Sequence, residues 1–592
     1  MDKVLPIGME NFRDLIRSNC YYVDKTDFIK TVMESGSKVH LITRPRRFGK
    51  TIFTDTLKSF LQIDLQKPGN TERNQALFAG LSVMKDRTFC DAFLGQYPVI
   101  SMTLKDIEGE NFAAAYRMFA ENLDDTIAPY SFLLTSPRLD ERDKETLRNY
   151  LTMGYLKEPN HLDDAKNFLK NLTAWLSKHF ERQTVVLIDE YDVPLAKAAH
   201  FGYYDKMLEL IRAFLGQVLK EKPRVESDAP AYLKKAVLTG CLRVSKESIF
   251  TGINNPAINT VCSEDRTLNK VIGFTTDEVR ALLDYFGLIQ RFEDVRQWYD
   301  GYRFAGEEMY CPWDVINFCD QAIRSGKPDT YLPYNYWDGT GGTDVIEEFL
   351  GFLSPEDADR MQVLVDGGSI ALTINEKLTY SDFATHQSDD FWTLLLFTGY
   401  LTVESRLPTA NSYRVRIPNK EIRDCFVKNV KARFSDSNLE FVTYGRDLAV
   451  AALEGDADKM TEVIVPLLKN YISVRDTASK APAENYYHGF LTALLSCAGS
   501  YAGDLRSNIE AGDGFADIAF TYGVGSRKVG VIIEIKRCEK PEDMYDMADN
   551  ALRQIEEKRY TEYLDKLRCN KKHVFGIAFC RKDCAVTTAD AE

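Results

Sequence analysis

The fold of the first part of this chain is decided by the stretch Arg44-Pro45-Arg46-Arg47-Phe48-Gly49-Lys50-Thr51. The apolar run Val39-His40-Leu41-Ile42 precedes it, and residues 53–61 follow it with the apolar spacing of a helix. This order predicts a strand, a tight loop and a helix. Backbone N–H groups at a helix start can cradle phosphate oxygens, and Gly-Lys-Thr is the ending that such loops require. We therefore take five loop residues as candidate nucleotide-binding residues: Arg47, Phe48, Gly49, Lys50 and Thr51.

The loop departs from the usual pattern at Arg44, which stands where G-x-x-x-x-G-K-[ST] has its first glycine. The Gly-Lys-Thr ending, taken alone, is also explained by a helix cap beside surface arginines. In the nucleotide interpretation, Lys50 binds the β- and γ-phosphates and the Thr51 hydroxyl is a ligand of Mg²⁺. A second element is needed to favour one interpretation over the other.

That second element is Thr184-Val185-Val186-Leu187-Ile188-Asp189-Glu190. Its apolar, β-branched run predicts a strand that is buried on both faces of a parallel sheet. The two carboxylates at its end could belong to a solvated acidic turn. Together with the loop, however, they favour a nucleotide site in which Asp189 holds Mg²⁺ opposite Thr51 and Glu190 is the base for the attacking water.

Further elements complete a predicted α/β domain. Residues 98–103 predict a strand, residues 110–180 predict helices, and residues 236–240 predict another buried strand. NTPases of the additional-strand type place a sensor of the γ-phosphate at the end of such a strand, where this chain has Thr239. Arg243 follows and could neutralise phosphoryl charge, although a surface salt bridge is about as good an account of an isolated arginine. Alternating strands and helices place the nucleotide at the carboxyl ends of the strands.

The composition of the 592-residue chain predicts a globular protein of two to four domains. Its net charge of -14 argues against nonspecific coating of nucleic acid, so any nucleic-acid contact must be local. The 12 cysteines are scattered without a CxxC pair, which favours reduced thiols. The N-terminus lacks the apolar core of a signal peptide, and the longest apolar stretch, residues 392–403, is too short to span a bilayer. These features predict a cytoplasmic protein without a membrane partner.

Three stretches carry a resemblance to a known family: Arg44 to Thr51, Ile188 to Leu195, and Leu238 to Phe250. They resemble the AAA-ATPase-like family of bacterial proteins, for which the Arg-Pro-Arg-Arg-Phe-Gly-Lys-Thr form of the loop is typical. The resemblance includes residues 6–26 and Trp298-Tyr299-Asp300-Gly301-Tyr302-Arg303-Phe304. It implies a P-loop NTPase domain of the additional-strand type in which Arg44 is a family trait. Members usually carry a C-terminal domain that resembles PD-(D/E)XK nucleases.

Residues 306–475 predict a mainly helical middle region without a low-complexity linker. A helix over residues 382–401, followed by β-like residues 401–403 and 413–419, suggests a winged-helix unit. Such a unit can contact DNA, but packing within the ATPase is the favoured interpretation. The stretch from Gly339 to Gly342 predicts a loop.

The last part of the chain places charged residues in apolar surroundings. Phe515-Ala516-Asp517-Ile518-Ala519-Phe520 alternates as a strand does, and residues 529–536 predict a buried strand with Glu534 and Lys536 on one face. Charges there are costly unless they are paired or bound to a metal. An Asp on one strand and Glu-x-Lys on the next resemble PD-(D/E)XK nucleases, in which the carboxylates hold Mg²⁺ and the lysine activates water. An ion pair at a sheet edge is the alternative, and Ala516 replaces the usual proline.

Predicted helices beside these strands supply auxiliary candidates. Glu484 and His488 share a helix face, and Glu484 is a candidate auxiliary metal group, although a favourable helix-start charge explains it as well. Gln554 lies on a later helix, and the resemblance implies that this helix supports the site. A solvent-exposed helix surface explains Gln554 equally well. We expect a loop near the metal at residues 507–514 and a closing strand at residues 574–579.

The sequence as a whole predicts three domains and two activities. Residues 1–305 form the P-loop domain, residues 306–475 the middle region, and residues 476–592 a restriction-endonuclease-like α/β domain. ATP binding and hydrolysis would regulate or position a Mg²⁺-dependent nuclease that acts on nucleic acid, with DNA favoured over RNA and homo-oligomer formation left open. The alternative is an ATP-dependent switch or interaction protein whose nuclease-like domain is a binding platform. The catalytic candidates are Glu190, Arg243, Asp517, Glu534 and Lys536.

Overall fold

The computed structural model divides the chain into two compact units, and each is described here by itself. The described residues are 3–220, 231–243, 256–337, 357, 360–361, 363–364, 367–376, 378, 388–426, 439–471, 484–496, 498–523 and 528–590. The first unit comprises residues 1–341 and 369–424, and the second comprises residues 342–368 and 425–592. The boundaries at residues 305 and 475 stay predictions.

The first unit is built on a parallel sheet that contains both of the strands expected at the phosphate site. Its strands are β1 Val39–Thr43, β2 Val99–Thr103, β3 Thr184–Asp189, β4 Leu233–Gly240 and β5 Ala257–Asn259. They are ordered β2-β3-β4-β1-β5, and every neighbouring pair is parallel. Because β4 lies between β1 and β3, the sheet is of the additional-strand type, and the predicted fold class is confirmed.

Helices cover this sheet and extend the unit toward the middle of the chain. All residues of β1 and β3 are buried, as expected for central strands covered on both faces. The described helices of the unit are α1 Phe12–Arg17, α2 Phe28–Glu34, α3 Lys50–Leu61, α4 Glu72–Phe78, α5 Arg87–Phe93, α6 Phe112–Ile127, α7 Glu141–Leu151, α8 Leu162–Phe180, α9 Val193–His200, α10 Tyr204–Leu219, α11 Thr276–Tyr285, α12 Phe292–Tyr299, α13 Pro312–Arg324 and α14 Ser388–Thr398.

The first unit also contains two small antiparallel sheets. The short strands β6 Phe274–Thr275, β7 Tyr302–Phe304 and β8 Glu307–Tyr310 form one sheet, in the order β6-β8-β7. The strands β9 Ile370–Thr373, β10 Thr402–Arg406 and β11 Ser412–Arg416 form the other, in the order β10-β11-β9. Helix α14 followed by the β10–β11 hairpin agrees with the predicted helix and hairpin, whereas the loop from Gly339 to Gly342 lies outside the described residues.

The second unit is a mixed sheet with helices on both faces. Its strands are β12 Gly503–Ala511, β13 Gly514–Tyr522, β14 Val529–Arg537, β15 Lys571–Cys580 and β16 Asp583–Asp590, in the order β12-β13-β14-β15-β16. The β14–β15 pair is parallel and the other pairs are antiparallel. The described helices are α15 Leu439–Glu454, α16 Ala457–Tyr471, α17 Glu484–Ser496, α18 Met544–Glu557 and α19 Glu562–Lys566.

The loop predicted at residues 507–514 is wrong. Residues up to Ala511 belong to strand β12, and the turn is confined to residues 512–513. The strand lies at the edge of its sheet, where exposed polar side chains such as Arg506 and Asn508 are tolerated, so it lacks the apolar alternation of an interior strand. The expected closing strand is present as β15, but β16 lies beyond it at the other edge.

The two faces of the second sheet pack against different helices. Ile533 and Phe575 point into a core shared with α15, α16 and α17, while Ile532 and Val574 point into a core shared with α18 and α19. Alternate strand residues face opposite sides of a sheet, so this division follows from the strand pattern. Helix α18 lies so close to β15 that a Cβ at Gly576 would be 2.0 Å from the Ala548 carbonyl oxygen.

Gly301, in the stretch from Trp298 to Phe304, is pressed against a turn of the middle region. Its φ is 100°, and an added Cβ would lie 1.9 Å from the Pro418 carbonyl oxygen. The next residue of that turn, Asn419, donates from Nδ2 to the Asp300 carbonyl oxygen at 2.9 Å. A glycine is therefore required here by both the backbone conformation and the close approach.

We expect Gly301→Ala to lower the free energy of unfolding of the first unit by at least about 2 kcal/mol, because the new methyl group meets backbone and its φ is unfavourable. Calorimetric unfolding of the full chain measures the effect. Gly36→Ala is the control, since an added Cβ at Gly36 meets no atom within 4 Å. Equal stability of the two variants would contradict the close packing.

Candidate functional site

The phosphate loop connects β1 to α3 and has the open backbone that phosphate binding requires. Gly49 is the N-cap of α3 with a φ of 96°, and an added Cβ there would meet no atom within 4 Å. The Lys50 side chain is 3% exposed, and its ammonium donates to the carbonyl oxygens of Arg44 at 3.2 Å and Pro45 at 3.0 Å. The positive charge of Lys50 is thus held inside the loop.

Asp189 joins the loop helix to the end of the neighbouring strands. Thr51 Oγ1 donates to one carboxylate oxygen of Asp189 at 2.7 Å, and Thr239 Oγ1 donates to the other. Glu190 follows with a φ of 53°, and its Oε1 lies 4.0 Å from Lys50 Nζ. The structure therefore brings five predicted site residues together at the carboxyl ends of β3 and β4: Lys50, Thr51, Asp189, Glu190 and Thr239.

The electrostatics of this cluster favour a charged lysine. Burial alone lowers the pKa of Lys50, but Cys241 and the carboxylates of Glu190, Asp189 and Asp192 act against it, and the pKa is raised overall. An ammonium that stays charged while buried needs compensation from nearby oxygens, which the loop carbonyls and the carboxylates supply. The arrangement can therefore present a fixed positive charge to an anion.

Asp192 was not among the predicted site residues, yet it supports the same strand end. Its carboxylate accepts from the backbone N–H groups of Cys241 at 3.0 Å and Leu242 at 2.8 Å. A Cβ at Gly240 would lie 2.4 Å from Asp192 Oδ1, so the glycine makes room for the carboxylate. The signal that could have found it is a third carboxylate three residues after Asp189 in a run that starts an apolar helix.

Two side chains of the loop lie in the protein interior. The Phe48 ring contacts Tyr302 and Phe304, with centroid distances of 4.8 and 5.4 Å, so only its backbone can face a phosphate. Arg44 is 1% exposed, donates to the Thr43 carbonyl oxygen at 2.8 Å and to Asn259 Oδ1 at 2.6 Å, and burial lowers its pKa to about 9. Arg44 thus anchors the loop to β5 where the usual pattern has a glycine.

The two candidate arginines, Arg47 and Arg243, contact side chains outside the Asp189 cluster. The Arg47 guanidinium stacks on the Trp313 ring, 4.1 Å from its centroid. Arg243 Nη1 lies 3.8 Å from Glu376 Oε2, and both side chains are partly exposed. This is the surface salt bridge that the sequence left open, so the catalytic role of Arg243 stays a prediction.

The second cluster lies where β13 and β14 meet in the second unit. Ile535 N donates to Asp517 Oδ2 at 2.7 Å, and Lys536 Nζ donates to Glu534 Oε1 at 3.1 Å. Gln554, on α18, also donates to Glu534 Oε1. The four side chains thus lie at one point of the sheet, with Glu534 only 2% exposed.

Burial makes both carboxyl groups of this cluster costly to ionise. Burial raises the pKa of Glu534 to about 7, the nearby charge of Asp517 adds to the increase, and Lys536 opposes it. Burial also raises the pKa of Asp517, against the opposing effects of the Ile535 N–H and of His488 and Lys536. Two close carboxyl groups without a cation between them are expected to behave in this way.

The residues around Glu534 fit a divalent cation. Within the described ranges, Glu534 Oε2 is buried and has no hydrogen-bond partner. An orphaned carboxylate oxygen beside a second carboxylate is a suitable donor set for Mg²⁺, which takes oxygen ligands. No group of three or more His, Cys, Asp or Glu in the described part of the chain could hold a metal alone. Mg²⁺ is commonly held by one or two carboxylates together with substrate phosphates.

The auxiliary candidates divide into one that contacts the cluster and one that is not described. Gln554 contacts Glu534, as given above, and donates to Tyr560 Oη at 3.2 Å. Glu484 is the first residue of α17, but its side chain lies outside the described residues. His488, one turn later, has its Nε2 2.9 Å from the Asp517 carbonyl oxygen and 3.1 Å from Ser507 Oγ, so it orients the backbone beside the cluster.

Two family models of known proteins match separate parts of the chain. Residues 6–250 match the family model of predicted AAA-ATPases, and residues 482–589 match that of the PD-(D/E)XK nuclease superfamily. The resemblance stated from the motifs is therefore confirmed: one region of the chain matches an ATPase-like family model and another matches a nuclease-superfamily model.

Similar proteins include one curated relative and one solved structure. The "Uncharacterized protein in vnfD 5'region" of Azotobacter chroococcum mcd 1 is 24% identical over 591 residues, which covers 98% of this chain and 97% of the relative. The Walker-type ATPase PABY2304 of Pyrococcus abyssi aligns with 13% identity and a TM-score of 0.33, covering 68% of this chain and 94% of that one. Separately, none of the helices in the described ranges combines the length and apolar character needed to cross a bilayer.

We expect Glu534→Gln to stabilise the second unit at about pH 8 by up to about 3 kcal/mol and to change little at about pH 5. The folded pKa of about 7 exceeds the ordinary value of 4.5, so the folded state binds a proton that the unfolded state has lost. Stability therefore falls as pH rises between these values, and the uncharged amide removes that dependence. Calorimetric unfolding with a chelator present measures it.

The matched control is Glu542→Gln, which changes an exposed carboxylate of the same unit. Its stability should follow that of the wild type at both pH values. A Glu534→Gln variant with no greater stability than this control at about pH 8 would contradict the raised pKa.

Proposed function

We propose that the chain binds and hydrolyses ATP in its first unit and cleaves nucleic acid phosphodiesters with Mg²⁺ in its second unit. The observation that carries the proposal is that each unit gathers two carboxylates, one of them buried and the other partly buried, and a lysine beside its sheet. In the first unit these are Asp189, Glu190 and Lys50. In the second they are Asp517, Glu534 and Lys536. Such groups are expensive to bury and serve packing poorly, so binding of metal and phosphate is the use that their geometry supports.

In the first unit, the proposed roles follow from position. Lys50 would bind the β- and γ-phosphates from within the loop, and Thr51 and Asp189 would hold Mg²⁺. Glu190, 4.0 Å from the Lys50 ammonium, orients and deprotonates the attacking water, and Thr239 senses the γ-phosphate through its hydroxyl. When bound at either site, Mg²⁺ supplies neutralisation of the charge on phosphate oxygens.

In the second unit, Asp517 and Glu534 hold Mg²⁺ and Lys536 positions the water that attacks the phosphodiester. The hydrogen bond from Gln554 to Oε1 fixes the orientation of the Glu534 carboxylate and leaves Oε2, which has no partner among the described residues, available to a cation. Lys536 Nζ lies 3.1 Å from the same carboxylate, which supports its proposed role beside a bound metal and the scissile phosphate. This is the division of labour that the nuclease superfamily match supports.

The substrate that we propose is nucleic acid, with DNA favoured over RNA, and ATP turnover regulates or positions cleavage. The cytoplasmic location and homo-oligomer formation remain predictions from the sequence. The rival function is a switch that binds ATP and uses the nuclease-like unit as a binding platform. The net charge of -14 supports this rival, because it argues against nonspecific coating of nucleic acid. In the described part of the chain, one buried oxygen of Glu534 has no hydrogen-bond partner, and this favours cleavage over the platform because a platform has no use for a carboxylate that is ready to bind metal.

For the first unit, we expect Lys50→Ala to weaken ATP affinity by about 10- to 150-fold, because one charge-assisted contact to the phosphates is lost. Isothermal titration of the full chain with Mg²⁺-ATP measures the change. Lys67→Ala, which removes an exposed lysine of the same unit, is the control and should bind as the wild type does. Unchanged ATP affinity of the Lys50→Ala variant would contradict the proposed ATP site.

For the second unit, we expect the wild type with Mg²⁺ or Mn²⁺ to cleave nucleic acid and Glu534→Ala to be slower by at least about 100-fold, because a metal ligand is lost. Gel assays on single- and double-stranded DNA and RNA measure the rates and also reveal the preferred substrate. Glu542→Ala is the control with an exposed carboxylate removed. Cleavage that persists in Glu534→Ala, or is absent from the wild type, would favour the platform.

A further inference from the structure

Arg47 adopts a backbone conformation that a glycine would normally supply. Its φ is 66°, and that of Gly49, two residues later, is 96°. The left-handed region is unfavourable for residues with a Cβ, and glycine visits it freely. A loop that turns its backbone N–H groups toward phosphate needs such conformations, so something must hold Arg47 in place.

Both the backbone and the side chain of Arg47 are held by the segment that starts α13. The Cys311 thiol lies 3.6 Å from the Arg47 carbonyl oxygen and donates to it. The guanidinium carbon lies 4.1 Å from the centre of the Trp313 ring, in the geometry of a cation–π contact. Residues 311–313 therefore contact Arg47 both at its carbonyl oxygen and at its guanidinium group.

A pair of buried carboxyl groups lies beside the same segment. Asp314 and Glu421 are both 0% exposed, and Glu421 Oε1 accepts from the backbone N–H groups of Tyr336 at 2.6 Å and Trp337 at 3.0 Å. Among the described residues, no hydrogen-bond partner is found for either oxygen of Asp314, for Glu421 Oε2 or for Arg47 Nη1. Burial lowers the pKa of Arg47, and the nearby Cys311, Asp314 and Glu421 oppose that effect through their charges.

The charges of this group balance. Burial raises the pKa of Asp314 to about 6, against the opposing effects of Cys311, Glu421 and Arg47. Burial and the neighbouring Asp314 raise the pKa of Glu421 well above its ordinary value. Two carboxyl groups that retain one proton carry a single negative charge, which matches the single positive charge of Arg47. The group is then neutral as a whole, which reduces the cost of burying it.

We propose that Trp313, Asp314 and Glu421 are positioning residues that hold Arg47 in the left-handed conformation and so fix the phosphate-binding backbone of the loop. We call these three residues the arginine clamp. This inference rests on the proposed ATP site and adds to it that the Arg47 side chain acts through the backbone, without contacting the nucleotide. The clamp replaces the conformational freedom that a glycine would give.

Titration of the full chain with Mg²⁺-ATP tests the clamp in four variants: Asp314→Asn, Arg47→Ala, Arg47→Gly, and the double variant Arg47→Gly with Asp314→Asn. We expect Asp314→Asn and Arg47→Ala to weaken affinity at least about fivefold, because Arg47 or its alanine replacement leaves the left-handed region. Arg47→Gly and the double variant should stay within about twofold of the wild type, because glycine needs no clamp. Rescue by glycine is a result that a purely structural role of Asp314 would not produce.

Three outcomes would overturn the proposal. If Arg47→Gly binds as weakly as Arg47→Ala, the guanidinium contacts the nucleotide directly. If the double variant binds as weakly as Asp314→Asn, the carboxyl group does not act through Arg47. If Asp314→Asn binds as the wild type does, the clamp has no function. Asp329→Asn, which alters an exposed carboxylate, is the matched control, and Glu421→Gln replaces Asp314→Asn if that variant unfolds on heating earlier than the control.

The ATP site itself is checked in the same series with Lys50→Ala. Weak binding by Lys50→Ala together with normal binding by Asp314→Asn overturns the clamp and leaves the ATP site in place. Normal binding by Lys50→Ala overturns both.

Discussion

The first unit depends on the carboxylate of Asp189, at which three elements of the fold meet. Hydroxyl groups from α3 and β4 donate to its two oxygens, while the carboxylate itself ends β3. A buried carboxylate without such donors would be costly. The contacts therefore require β4 to lie between β1 and β3, and they set the distance between the phosphate loop and the acidic turn. The fold and the candidate site are consequences of the same arrangement.

The second unit also buries a carboxylate, but there only one of its two oxygens has hydrogen-bond partners among the described residues. Glu534 lies in a strand whose neighbours are apolar, and Lys536 and Gln554 partner one of its oxygens while the other has no partner among the described residues. A fully paired carboxylate would be a structural ion pair. A half-paired one, beside Asp517 and with a raised pKa, is better suited to receive a cation.

The loop of the first unit shows how a departure from a common motif can be accommodated. Arg44 extends toward Asn259 at the end of β5, Phe48 packs on Tyr302, and Arg47 stacks on Trp313. Each of these contacts joins the loop to a segment that is more than 200 residues away in sequence, as the hydrogen bond from Arg44 to Asn259 illustrates. Side chains at these positions anchor the loop to the rest of the unit, while the space next to Gly49 stays open. Packing against distant segments thus takes over the role that glycine has in the usual pattern.

Residue patterns were enough to predict the strand, loop and helix around Lys50, the buried strand before Asp189, and the placement of Glu534 and Lys536 on one strand face. Each depends on local periodicity or on neighbours one turn apart, which the order of residues records directly. These patterns did not reveal β12, because an exposed edge strand has little apolar alternation, nor the roles of Asp192, His488, Trp313, Asp314 and Glu421. Those residues contact segments that are distant in the chain. Local residue patterns do not record such contacts, because they form only when the chain folds and brings those segments together.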